Sequence, residues 1–410
     1  MSGGKIQAPR GTFDVLPEDG RRRELLRRSA EELFGEAGYG PFETPIFEHT
    51  ELFARGVGET TDIVQKEMFT FEDQGGRSLT LRPEGTAGVC RAYLEHGMHK
   101  LPQPVKLWYW GQFFRHEAPQ AGRYRQFNQV GVEAIGSLDP SLDAEVILLL
   151  AELLQRAGAR GVRLRLSSLG TPETRRAYSE ELRGYLRAHE AELSEEVRAR
   201  IDANPLRAFD ADHAGTQAVM RQAPKLLERL APEDAEHFAA VCALLDDAGQ
   251  EYDLDPALVR GIDYYTRTVF EFTSDALGAQ SGVGGGGRYD GLVEQLGGPP
   301  TPGVGFAAGI ERILLVSELA AEPKPTKVFI SHSDSREALR LALALREQGV
   351  SAQLEQAGRS LKGQLKHADR IGAGWVVIIG EDGLQLRDMR TGEQRQIESV
   401  DEAVRAVTAA

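Results

Sequence analysis

Cysteine is nearly absent from this chain: 410 residues contain two, Cys90 and Cys242. They stand far apart and form no Cys-x-x-Cys pair, so neither a disulfide framework nor a cysteine zinc site is indicated. Long apolar runs are also missing. The most apolar stretch, Val146 to Leu154, is interrupted by Glu152 and falls well short of the roughly 20 residues of a membrane helix. The opening residues lack the apolar core of a signal peptide. Net positive charge is lacking too. The formal charge is −14, which argues against a basic coat for non-specific nucleic-acid binding and leaves room for a local basic patch. A cytoplasmic protein with no membrane partner is the simplest expectation.

The residues that are present have ordinary globular proportions, 41% hydrophobic and 27% charged, and the length suggests two or three domains. From residue 323 onward the two signs nearly balance, so the acidity belongs to the body before it. Pro17 to Ala37 reads as an amphipathic helix, with Leu26, Ala30, Leu33, Phe34 and Ala37 spaced by three and four and Gly38 as its stop. Val105 to Arg115 and Gln126 to Gly136 read as two strands around a long polar loop. Gly161 to Leu166 alternates like a half-buried strand. Between about 171 and 255 charged helix formers dominate, which suggests a helical insertion. Strand character returns at Thr266 to Thr273. After a linker with Pro323 and Pro325, the pattern becomes βαβαβ and closes with a capping box from Ser399 to Glu402.

Four segments carry chemistry. Phe114-Arg115-His116-Glu117 opens a loop that continues through Arg123 and Arg125 to Phe127. Arginine forks suit phosphate or carboxylate, and aromatic faces can stack a base, although on charge alone a solvated hairpin loop fits as well. Thr80-Leu-Arg-Pro-Glu84-Gly-Thr86 can present a carboxylate and a hydroxyl to an ammonium group. It also reads as a helix start, with Pro83 in the first turn and Glu84 at the positive dipole end. Arg260-Gly-Ile-Asp-Tyr264-Tyr265 continues to Glu271. In a regular strand its adjacent tyrosines would face opposite sides, so only one could line a pocket. Core packing is the alternative. Gly303 to Arg312 reads as a strand running into a helix that carries Arg312.

Two patterns are decoys. Gly282 to Gly287 matches G-x-G-x-x-G, but a glycine run satisfies almost any glycine pattern, and no clear helix follows. His96 and His99 have no evident third ligand, so no metal site is expected from protein clusters.

These segments, in this order, resemble the histidyl-tRNA synthetases. Gly38-Tyr-Gly-Pro-Phe-Glu-Thr-Pro45, the Phe114–Glu117 hairpin and Gly309-Ile-Glu-Arg312 are similar to the three class II synthetase motifs. The Leu81 to Thr86 and Arg260 to Glu271 runs are narrower and resemble the histidine enzymes. Arg10 to Pro17, Gly286 to Leu292 and Gly358 to Ala373 resemble them as well.

The resemblance implies an α+β fold. A class II antiparallel sheet with flanking helices and the insertion would occupy residues 1–322, and an α/β anticodon-binding domain residues 326–410. It implies ATP with Mg²⁺, L-histidine and histidine tRNA as ligands, and a homodimer. By resemblance, Arg115 and Arg260 are the catalytic cations. Glu84, Thr86 and Gln129 take the α-amino group, with Arg115 and Arg260 near the carboxylate. Glu133, Tyr264 and Tyr265 read the imidazole. Arg115, Glu117, Arg123, Phe127 and Arg312 hold ATP. Gln120 meets the tRNA acceptor end, in a loop where Ala118 and Ala121 replace the family's usual basic residues. A non-catalytic relative, the regulatory subunit of ATP phosphoribosyltransferase, is the alternative, but it typically lacks the C-terminal domain and degrades these motifs.

Overall fold

The computed structural model describes residues 5–58, 61–117, 122–258, 262–278, 281–320, 326–380 and 383–408. The chain divides into two compact units, Met1–Ala321 and Glu322–Ala410. The first opens with helix α1 (Pro17–Glu36), strands β1 (Gly40–Pro41) and β2 (Phe47–His49), and α2 (Thr50–Val57). Next come β3 (Phe69–Glu72), β4 (Ser78–Leu81), α3 (Thr86–Glu95), β5 (Val105–Phe114), β6 (Gln126–Ile135), α4 (Pro140–Arg156) and β7 (Val162–Ser168). Helices α5 (Pro172–Ala188), α6 (Glu195–Arg200), α7 (Ala214–Gln222) and α8 (Pro232–Asp247) lead to β8 (Asp253–Leu254) and β9 (Thr266–Ser274). The unit ends with β10 (Gly282–Arg288), α9 (Leu292–Gln295), β11 (Gly303–Gly309) and α10 (Ile310–Val316).

Eight strands form one sheet in the order β1-β5-β6-β11-β10-β9-β7-β8. All pairs are antiparallel except β1 with β5 and β7 with β8. Helices α1 and α4 cover one face, because their apolar stripes have no other surface to bury against. Leu26, Ala30, Leu33 and Phe34 of α1 join Val146, Ile147, Leu150 and Leu153 of α4 in that core. A small sheet, β2-β4-β3, stands apart. This is the α+β arrangement expected from the sequence.

The helical segment is less separate than its composition suggests. Phe238, Val241 and Leu245 of α8 belong to the core of the main sheet. Tyr178, Leu182 and Leu186 of α5 share a cluster with Tyr109, Tyr264 and Tyr289. The charged texture reflects only the outer faces of these helices.

The second unit contains β12 (Val328–His332), α11 (Ser335–Glu347), β13 (Ala352–Leu354), α12 (Leu361–Arg370), β14 (Trp375–Gly380), β15 (Gly383–Asp388), β16 (Gln394–Ile397) and α13 (Val400–Thr408). Its parallel core β13-β12-β14 extends into an antiparallel pair, β15 and β16, beyond the expected βαβαβ unit. The capping box is half formed. Ser399 Oγ accepts the Glu402 N–H at 3.2 Å, but the Glu402 carboxylate accepts from the Glu398 N–H at 2.8 Å. No described helix is long and apolar enough to cross a membrane.

Arg288 and Asp143 are the tightest polar fastening of the sheet to α4. Both side chains are 0% exposed, and the Arg288 guanidinium also donates to the Ser137 and Asp139 carbonyls. Removing the carboxylate leaves the buried cation with Asp290, at 3.3 Å, as its remaining counter-charge. Asp143→Ala is therefore expected to destabilise the first unit by about 3–5 kcal/mol. Urea unfolding would measure this, and a loss below about 1 kcal/mol would contradict the role assigned to the pair.

Candidate active site

The site is built on the β5–β6 hairpin, whose ten pairs run without a break from Val105↔Ile135 to Phe114↔Gln126. Strand alternation puts Phe127, Gln129, Gly131 and Glu133 on one face. Their partners on β11 are small: Gln129 meets Gly309, Gly131 meets Ala307, and Glu133 meets Gly305. A Cβ at Gly305 would lie 2.0 Å from Glu133 Oε2, so only glycine leaves that carboxylate its place. The result is a patch of sheet with few side chains above it and room for a flat ligand.

Below this patch lies a buried polar network. Thr86 Oγ1 donates to Glu133 Oε1 at 2.7 Å, and the Tyr289 hydroxyl donates to Glu133 Oε2 at 2.7 Å. Glu84 accepts from the Thr86 N–H at 2.7 Å, the Ala87 N–H at 3.0 Å and the Tyr264 hydroxyl at 3.3 Å. Glu84 thus caps the exposed amides at the start of α3 while facing the site. Pro83 lies outside the helix, since α3 begins only at Thr86 with Gly85 as its cap. The first-turn role expected of Pro83 is therefore not realised.

Both carboxyls are pushed upward, chiefly by burial. Glu133 reaches about 8, with the Glu84 charge adding to the rise and the Tyr289 and Thr86 donors opposing it. Glu84 is raised by burial against its two amide donors.

Next to the floor is an arginine-bearing cleft of about 580 Å³, lined by Arg115, Glu117, Arg123, Phe127, Gln129 and Arg312 among others, with Arg165 facing the acidic Glu271 on its far side. Arg115 Nε donates to the Pro83 carbonyl at 2.9 Å, and its guanidinium lies 5.6 Å from the Phe127 ring centre. Glu117 accepts from Arg123 at 2.7 Å and has Arg115 at 3.8 Å. Arg312, on α10, donates to the Gly282 carbonyl. Burial, and then the nearby Arg123 charge, lowers its pKa. Four arginines line this one cleft, and guanidinium forks suit a polyanion.

Eleven of the thirteen residues singled out from the sequence fall in the described regions, and they divide between these two neighbouring places. Arg260 and Gln120 lie outside the described residues, as do Ala118 and Ala121. Tyr264 and Tyr265 precede β9 and occupy a turn, so strand alternation does not separate them. Both are buried, with ring centres 4.8 Å apart. The buried Gln129 amide oxygen has no partner among the described residues.

Three members escaped the sequence reading. Tyr289 sits in a segment read only as a family marker. Tyr109, buried close enough to Glu133 to help hold down its pKa, looked like one more strand aromatic. In the sequence Glu311 reads only as part of the Gly309 to Arg312 run, with no role of its own. It is buried, and accepts from Arg23 at 2.7 Å and the Asn128 side chain at 2.8 Å. The decoys resolve plainly. The glycine run is β10, where a Cβ at Gly286 would lie 1.9 Å from the Gly305 carbonyl oxygen. No group of three metal-ligating side chains exists among the described residues.

The Glu133 shift has a measurable sign. Below about pH 4.5 the carboxyl is protonated in both folded and unfolded chains. Between that point and about 8 the unfolded chain ionises while the native one keeps its proton, so its contribution to stability falls as pH rises. Glu133→Gln removes the titration. Relative to wild type, the variant is expected to gain up to about 1.4 kcal/mol per pH unit across this window. Parallel stability curves from pH 5 to 8 would contradict the shift.

The histidyl-tRNA synthetase family model matches residues 11–313, and an anticodon-binding-domain model matches residues 327–409. A histidine–tRNA ligase of Rubrobacter xylanophilus is 51% identical over 407 residues, covering 95% of this chain and 96% of the relative. One from Desulforamulus reducens is 48% identical over 401 residues, with 95% and 96% covered. The crystal structure of apo S. aureus histidyl-tRNA synthetase superposes with a TM-score of 0.81 at 38% identity, covering 98% of this chain and 100% of that one. The buried carboxylates, the arginine-bearing cleft and these matches lead to one conclusion: this chain belongs to the histidyl-tRNA synthetase family.

Proposed function

We propose that the protein is a histidine–tRNA ligase working in two steps at this site. The histidine carboxylate attacks the α-phosphorus of ATP, histidyl-adenylate forms, and pyrophosphate leaves. A hydroxyl of the terminal tRNA ribose then attacks the adenylate carbonyl, and AMP leaves. The observation that carries the reading is the adjacency of a buried carboxylate floor to a cleft ringed by Arg115, Arg123 and Arg312. The floor suits a small cation-bearing ligand and the cleft suits a triphosphate.

Little covalent work falls to the protein, so positioning and charge neutralisation supply the rate. Arg115, at the seam between cleft and floor, holds the α-phosphate and the amino-acid carboxylate. Arg260 approaches the same centre. Glu117 and Phe127 take the adenine, Arg312 covers it, and Arg123 meets the distal phosphates, with Mg²⁺ arriving on ATP. Glu84, Thr86 and Gln129 hold the α-amino group. Glu133 and Tyr264, with Tyr265 beside them, read the imidazole. A neutral imidazole has one donor and one acceptor nitrogen. A carboxyl that keeps its proton up to about pH 8 can share it with such a ring. An apolar ring of similar size would meet these polar groups without a bond to either and be rejected.

Residues 326–410 form the anticodon-binding part of this reading, supported by exposed Lys362, Lys366 and Arg370 on successive turns of α12. Gln120 meets the tRNA acceptor end. The protein works in the cytoplasm as a homodimer. Phe47 and Phe71, half exposed and paired edge-on on the β2–β4–β3 sheet, give a second copy an apolar surface to cover. No specific observation favours the regulatory-subunit alternative, since the side chains suited to ATP and histidine remain.

Purified protein with MgATP and pyrophosphate is expected to catalyse exchange only when histidine is added; no exchange would overturn the reading. Arg260→Ala should leave histidine affinity largely intact and reduce kcat by about 10²–10³-fold. A change confined to KM would contradict its transition-state role. Phe71→Asp is expected to shift the sedimentation profile from dimer towards monomer.

A further inference from the structure

Strand β9 is irregular where it approaches the pocket. Against β10, Gly287 faces Val269, but the next residue, Arg288, faces Thr266. Arg267 and Thr268 are taken up as a bulge. Arg267 has φ 44°, the one positive value at a non-glycine among the described residues. Such a backbone costs of order 1–2 kcal/mol and persists only where the surroundings over-determine it. Bulges of this kind re-aim neighbouring side chains and recur beside active sites.

Here the surroundings are the helical segment. The Arg267 N–H donates to the Gly170 carbonyl at 2.8 Å, and the Leu169 N–H donates to the Arg267 carbonyl at 2.7 Å. The guanidinium donates through Nε to Asp234 at 3.1 Å and through Nη2 to Glu233 at 2.7 Å. The Asp234 side chain is 1% exposed. It also accepts from the Thr171 N–H at 2.8 Å and the Thr174 hydroxyl at 2.9 Å. One buried carboxylate therefore joins the start of α5, the first turn of α8 and the bulge. Helix α5 reaches the same strand end a second time, because Arg175 Nη1 donates to the Tyr265 carbonyl at 2.8 Å. The turn just ahead of these fastenings carries Tyr264, whose hydroxyl meets Glu84.

We propose that Arg267 and Asp234 are positioning residues for the histidine subsite. The clasp between them fixes the bulge, the bulge fixes the turn at Tyr264 and Tyr265, and histidine affinity depends on that placement. The inference rests on the reading of the site as histidine-activating. Glu271 of β9 also lines the cleft, but Arg115, Glu117, Arg123 and Phe127 stand on the β5–β6 hairpin and Arg312 on α10, which the clasp does not touch. Loss of the clasp should therefore be felt by histidine and not by ATP.

The test is pyrophosphate exchange with wild type, Arg267→Gly, Arg267→Lys and Asp234→Asn, each checked by thermal melting. Glycine adopts the left-handed conformation freely, so Arg267→Gly removes the side chain without forcing the backbone. Its histidine KM is expected to rise about tenfold, the scale of a lost charged hydrogen bond, with ATP KM changed less than about twofold. Arg267→Lys keeps the charge without the two-pronged fork and should fall between. Should Arg267→Gly fail to fold, Asp234→Asn carries the test. It keeps an acceptor for Thr171 and Thr174 and loses the charge opposite Arg267. An unchanged histidine KM in a folded variant would overturn the proposal. So would equal rises for histidine and ATP, or a fall in kcat alone. Absence of exchange by the wild type would instead overturn the reading on which it rests.

Discussion

Two carboxylates, Glu84 and Glu133, are held out of water with one threonine between them. Most of the catalytic unit can be understood as what this requires. An ionised carboxylate in such a place is costly unless donors surround it. Thr86, Tyr264, Tyr289 and the first amides of α3 are those donors. They come from three separate parts of the chain and Glu133 from a fourth, so the floor exists only once α3, β6, the turn before β9 and the end of β10 have met. Burial still outweighs the donors, and Glu133 keeps its proton to about pH 8. That residual tension suits a pocket for a titratable ring.

The cleft above the floor has the opposite problem. Burial lowers the pKa of Arg312, and the charge of Arg123 beside it lowers it further. Glu117 offsets part of the positive charge by pairing with Arg123 and Arg115. Arg115 joins the two regions, donating to the carbonyl of Pro83, the residue just before Glu84. The carboxyl floor and the arginine-bearing cleft thus meet at one side chain.

The outer parts of the unit hold this arrangement still. The Arg288–Asp143 pair fastens β10 to α4 next to Tyr289. The Arg267–Asp234 contact fastens β9 to α5 and α8 next to Tyr264. In both cases a buried ion pair stands within a few residues of a tyrosine whose hydroxyl meets one of the two carboxylates. Such pairs contribute little net stability but are expensive to break, which suits fixing a geometry more than deepening a fold.

The class of fold was legible in the sequence, as were the short runs that carry Glu84, Arg115, Glu133 and Tyr264. Those signals are local: apolar spacing in α1, alternation in β5 and β6, and short runs such as Leu81 to Thr86. Tertiary structure alone decided how the side chains are shared out. Strand alternation separates Tyr264 from Tyr265, yet a turn brings their rings together. Composition sets 171–255 apart, yet α8 packs into the main core. Tyr289, Tyr109 and Glu311 were unremarkable in the sequence, because what matters about them is a partner far away in the chain. A run of residues records its own periodicity and charge. It does not record which distant carboxylate a hydroxyl will reach, since long-range packing and the need to satisfy buried polar groups settle that.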